Sequence, residues 1–223
     1  ATRDLYAAGA VEAGDEDDYF QSNLFTVARR RVVWLSVLVG ANGFTTQVIA
    51  MNDAVLREVV MLAAFIPLLI GTGGNVGAQS STVVIRGLST QRIQPLGPWR
   101  AVVREALAGA LLGLLMLVVV VPFAWWRGDG PLVGMAVGIS LLAITTLAAT
   151  AGAALPLRFN RMGLDPALMS APFITTATDV AGVFIYLKTA QWLLVHAPQL
   201  LENTGISTHL LASFAFCGLL YVS

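Results

Sequence analysis

Asp179 sits near the middle of an apolar run over 166–195, with Thr175 and Thr176 four and three residues before it. At helical spacing the carboxylate and both hydroxyls fall on one face. Such a face offers hard oxygen donors, suited to Mg²⁺ or to the water shell that Mg²⁺ gives up reluctantly. A charge at the centre of a membrane helix costs about 2.5 to 3.5 kcal/mol on insertion scales, so an acid kept there marks a site. Nothing basic lies close to it in sequence. The competing reading is a carboxyl held protonated or hydrogen-bonded inside a helix bundle.

Two further acids border apolar runs. Glu105 follows Arg104 and stands five residues after Arg100, so a structural ion pair at the membrane interface competes evenly with a place on an ion path. Asp165 precedes Pro166, a helix-capping acid followed by proline in the first helical position, which accounts for both residues without a ligand. A third group of oxygen donors lies in Gly71-Thr-Gly-Gly-Asn-Val-Gly-Ala-Gln-Ser-Ser-Thr82. Gly73 and Gly77 make a small-xxx-small pair that would let helices pack closely. Packing alone does not call for Asn75, Gln79 or Thr82, whose amides and hydroxyl suit a hydrated cation.

The other candidates carry less. His196 and His209 lack a ligand partner at useful spacing, Cys217 reads as a small buried hydrophobe, and Met61, Met116, Met135 and Met169 read as gap-fillers. No nucleophile is paired with a base, which argues against an enzyme.

The 223 residues are 57% hydrophobic and 12% charged, a balance that suits lipid better than water as the solvent. Thirteen Lys plus Arg against thirteen Asp plus Glu leave no basic excess for a nucleic-acid partner. The spacing predicts an all-α membrane bundle. Residues 1–31, with the acid run Asp15 to Asp18 and the basic triplet Arg29 to Arg31, read as a helical cytoplasmic lead-in without a signal peptide. Residues 32–195 form the membrane domain, with five spans at 32–51, 56–88, 101–126, 131–157 and 166–195. The second is longer than one crossing needs and reads as one long helix or one broken at its Gly71–Gly77 run. Residues 196–223 are a tail or an additional membrane helix, since 206–222 is marginal in length for a span. Arg29, Arg30, Arg31, Arg86, Arg92, Arg100, Arg104, Arg158 and Arg161 fall on one side and only Arg57, Arg127 and Lys188 on the other, which predicts a cytoplasmic N-terminus. Trp34, Trp99, Trp125, Trp126 and Trp192 lie near span ends, as headgroup anchors do.

The run from Pro67 to Gly87, PLLIGTGGNVGAQSSTVVIRG, resembles the second transmembrane helix of the MgtE family of magnesium channels and transporters. The run from Asp165 to Asp179, DPALMSAPFITTATD, resembles that family's fifth helix, and Arg104-Glu105 lies between the two. The resemblance covers about residues 20–195 and implies a homodimer in the plasma (inner) membrane of a prokaryote, its ion path on the two-fold axis between the second and fifth helices. It implies that paired Asp179 carboxylates hold Mg²⁺, the transported and bound ion, through its water shell. Glu105 matches an acid in the membrane, and Asp165 a site near the cytoplasmic mouth. Gly71, Gly74, Asn75 and Thr82 match pore-lining positions. Ala78 and Ala171 depart from the amides often found there. Repulsion between two facing carboxylates makes protons compete with the metal. The family's acidic and paired CBS domains are not in this sequence, so residues 1–31 resemble the end of their connector and Mg²⁺-dependent closure is expected to be weak. The implied function is a channel passing Mg²⁺ and other divalent cations down the electrochemical gradient. A Na⁺- or H⁺-coupled exchanger and a non-transporting scaffold are the alternatives.

Overall fold

The computed structural model describes residues 24–203 except Val59, Arg92, 94–96 and Asp165. The described residues form six helices: α1 (Leu24–Met51), the short α2 (Asp53–Glu58), α3 (Met61–Ser89), α4 (Pro98–Trp126), α5 (Pro131–Arg161) and α6 (Pro166–Asn203). Asp15 to Asp18, His209 and Cys217 lie outside the described residues, as does the reading of 206–222 as a further helix.

Local chemistry sets the boundaries. Gly97 and Gly130 adopt φ of 79° and 88° and are followed by Pro98 and Pro131 at the first helical position, where a missing N–H costs nothing. α4 and α5 both stop in the same way. Gly128 N–H donates to Trp125 O and Asp129 N–H to Ala124 O, and Gly163 and Leu164 repeat the pattern on Asn160 and Phe159. A left-handed glycine thus closes each helix in a Schellman motif.

α3, α4 and the stretch Leu132–Arg161 of α5 are long and apolar enough to cross a membrane, and 35–51 of α1 is a shorter apolar segment. α6 is 38 residues long, with Asp179, Lys188, Gln191 and several threonines interrupting its apolar character. The second apolar run departs from expectation in one respect. It breaks before Met61 and continues as one helix through Gly71–Gly77. The glycines are held by neighbours: a Cβ at Gly73 would stand 2.8 Å from Ile144 Cγ2, and one at Gly77 2.5 Å from Ile174 Cγ2. Close packing with α5 and α6 offsets the low helix propensity of glycine.

α5 is the central helix, packed against α3, α4 and α6, while α1 leans mainly on α6. α4 runs antiparallel to α5 at glycine-thin contact, since a Cβ on Gly109 would meet the Thr145 carbonyl oxygen at 2.5 Å. The Thr145 hydroxyl lies 2.8 Å from both Gly109 O and Leu141 O, so its one proton is shared between the neighbouring helix and its own. One apolar cluster, including Leu62, Phe65, Val120, Val137 and Tyr186, fills the end where α3 and α5 begin. A second, with Val84, Ile93, Ala153 and Leu157, fills the end where α4 begins.

A candidate cation site between α3 and α6

Asp179 is half-buried on α6 and faces α3 at Gly74. A Cβ at Gly74 would lie 3.9 Å from Asp179 Oδ1 and 3.7 Å from Thr175 Cγ2. The carboxylate therefore rests over bare helix backbone, in a gap that glycine keeps open. Thr175 and Thr176 share its half-buried face. Thr178, one residue before it, is buried and donates to Ile174 O and Thr175 O at 2.8 and 2.9 Å, so its hydroxyl is occupied within its own helix.

On α3, Gly71, Asn75, Gln79 and Thr82 are exposed and follow one another at spacings of four, four and three, a stripe along one side. The Thr82 hydroxyl donates to Ala78 O at 2.9 Å. Neither amide of the stripe is covered within one chain. A membrane-length helix with an uncovered amide stripe needs water or a second protein surface against it, since lipid offers amides no partners.

Glu105 is half-buried on α4, which packs on α5 and makes no substantial contact with α6, so one chain does not bring it to Asp179. No ion pair joins Glu105 to Arg100 or Arg104, all three being described residues. Asp165 lies outside the described residues. Among those described, no three His, Cys, Asp or Glu side chains come together to hold a metal. Among the described residues, one chain therefore offers at this place the Asp179 carboxylate with neighbouring hydroxyls and backbone, hard oxygen donors too few to encircle a dehydrated divalent cation.

Sequence reasoning passed over Asp129. It occupies the position after the glycine cap of α4, where a side chain folds back on the last helical turn, and its carboxylate is 4% exposed. Arg127 Nε lies 3.0 Å from its Oδ2, out of line for a directed hydrogen bond, and the guanidinium stands 5.6 Å from the Phe65 ring centroid. The signal was present in Arg127-Gly-Asp-Gly130, an acid between two glycines. His196 is also accounted for: its ring stacks on Trp192 at 5.0 Å, and its Nδ1 lies 2.9 Å from Trp192 O.

Among the described residues, a helical bundle with membrane-length apolar helices and a carboxylate set over a glycine-bared backbone defines a helical membrane domain with a polar focus between two helices. The chain belongs to the MgtE family, whose model, described as a divalent cation transporter, matches residues 66–189. That match includes Gly74 on α3 and Asp179 on α6. A Thermus thermophilus protein named Magnesium transporter MgtE is 40% identical over 195 residues, 87% of this chain and 43% of its own length. Proteins of the same name from Enterococcus faecalis and Bacillus subtilis are each 32% identical, covering 80% of this chain and 39% and 40% of theirs. The chain thus spans about two-fifths of the length of the curated relatives it matches.

Proposed function

We propose that this chain forms the ion-conducting membrane part of a Mg²⁺ channel, assembled as a homodimer with α3 and α6 of each copy facing the two-fold axis. The observation that carries the proposal is Asp179 over Gly74, beside the uncovered Asn75 and Gln79. In this reading α1, α3, α4, α5 and α6 are the five spans, with the N-terminus cytoplasmic. The two polar stripes cover each other across a water-filled path, which meets the need that neither meets against lipid.

Mg²⁺ is the cargo. Two Asp179 carboxylates supply the charge that favours a divalent over a monovalent ion, and they act through its bound water, whose loss is slow. Thr175 and Thr176 can accept hydrogen bonds from that water on the same helix face, and Asn75 and Gln79 extend the polar lining along α3. Gly74 leaves width where the carboxylate stands. Glu105 and Asp165 are assigned to the approaches of the path, and Thr82 and Gly71 to its walls.

The test is Mg²⁺ flux into proteoliposomes holding the purified chain, with no Na⁺ or pH gradient. A channel conducts under these conditions, an obligatory exchanger does not, and Asp179→Ala must abolish whatever flux is seen. Flux unchanged in Asp179→Ala leaves α3 and α6 as packing elements only.

A further inference from the structure

The end of the bundle where α4 begins carries exposed arginines on three helices, Arg86 on α3, Arg100 and Arg104 on α4, and Arg158 and Arg161 on α5. Among the described residues none of them has an ion-pair partner. Arg100 and Arg104 are four residues apart, so they share one face of α4 with about 6 Å between their Cβ atoms. That face continues as Leu107 and Leu111, which are 67% and 59% exposed, and it begins beside Trp99, 75% exposed. Gly109 lies against Thr145 and Ala149 of α5, and Arg100, nine residues or about 180° around the helix from Gly109, stands on the side of α4 that faces away from α5.

We propose that this outer face of α4 is a binding site for an anionic phospholipid. Guanidinium forks at Arg100 and Arg104 take the headgroup phosphate, which they match bidentately. An acyl chain lies along Leu107 and Leu111, and the Trp99 indole sits at the headgroup level. Charge complementarity selects the occupant: two cations that pair with no acid among the described residues, directly continuous with bare aliphatic surface, fit a molecule that is anionic at one end and hydrocarbon along the rest. Among the described residues the acid next to this pair is Glu105, a residue on from Arg104 and turned by about 100° around the helix. Arg104 lies about 9 Å along the helix from its start, and its long stem lets the guanidinium reach up to the phosphate level.

The experiment is native mass spectrometry of the intact chain in detergent, titrated with phosphatidylglycerol or phosphatidylcholine. Phosphatidylglycerol is expected to be retained preferentially. Arg100→Gln with Arg104→Gln is expected to weaken it about 30-fold, about fivefold for each arginine near the headgroup plane. Lys188→Gln, at the opposite end, is expected to leave it unchanged. Equal retention of both lipids, undiminished binding in the double variant, or equal displacement by sn-glycerol 1-phosphate overturns the proposal. A measurement on the unmodified chain serves if the double variant does not fold. Photoactivatable phosphatidylglycerol should crosslink within 99–111, and crosslinks confined elsewhere overturn the site, including the case in which a second copy of the chain covers this face.

Discussion

Gly152 on α5 lies against the carbonyl oxygen of Gly77 on α3, so that a Cβ added there would collide with backbone. Backbone cannot move aside as the end of a side chain can, so Gly152→Ala forces the two helices apart. Overpacking of this kind costs about 1–3 kcal/mol, and a chain of this size loses roughly 2–4 °C of melting temperature per kcal/mol. Gly71→Ala is the contrast. A Cβ at Gly71 meets nothing within 4 Å, and alanine gains up to about 1 kcal/mol of helix propensity. Thermal melts in detergent should show the first variant falling by several degrees and the second holding or rising.

Gly74 asks a different question, because a methyl there would lie at ordinary contact distance from Thr175 and Asp179. Gly74→Ala should fold normally and still reduce Mg²⁺ flux, by setting an apolar group beside the carboxylate. Asp179→Asn should reduce flux at least tenfold with no loss of melting temperature, since it removes a charge that is costly to keep in the bilayer. A variant that loses flux and melting temperature together would show instead that Asp179 holds the helices in place.

The helix starts at Pro131 and Pro166 were legible because proline punctuates them, while α4 begins at Pro98, ahead of the expected 101. The helix ends ran beyond the apolar edges, to Arg161 and Asn203, and α1 begins at Leu24, ahead of its arginine triplet. Backbone hydrogen bonding continues where hydropathy stops, so composition alone places a helix end too early. That α3 runs unbroken through Gly71–Gly77, one of the two readings the sequence left open, depends on Ile144 and Ile174, residues far along the chain that pack against its glycines. The shared face of Thr175, Thr176 and Asp179 follows from helical spacing. Its contact with Gly74 depends on which two helices meet, and no periodicity records that.

Tyr186 is fully buried and its hydroxyl donates to Leu62 O at 2.9 Å, tying α6 to the first turn of α3. Interhelical hydrogen bonds in membranes average about 0.6 kcal/mol, so Tyr186→Phe should lower stability by roughly that amount. The ring still fills its place in the apolar cluster, and flux should stay near that of the unaltered chain. Unfolding in mixed micelles measures the first effect and proteoliposome flux the second.

Asn75→Leu and Gln79→Leu address the stripe on α3. Both side chains are exposed within one chain, so neither change removes a packed contact, and melting temperature should hold. Flux should fall, because leucine withdraws hydrogen bonds from a hydrated ion and narrows the wall of its path. Unaltered flux in both variants would place the stripe outside the conducting path.

Arg127 and Asp129 offer a test by double-mutant cycle at the opposite end of the bundle from the lipid-binding arginines. Removing Arg127 leaves the buried Asp129 carboxylate without its nearby cation and takes the guanidinium from above the Phe65 ring. Removing both charges leaves only a neutral polar side chain in the turn. An orphaned buried charge costs more than an absent pair. Arg127→Met should therefore destabilise the chain by about 1–3 kcal/mol, and Asp129→Asn added to it should restore a large part of that loss, the coupling expected of residues in direct contact. Effects that simply add would mean that the two charges act independently, and that the glycine cap alone holds the α4–α5 turn.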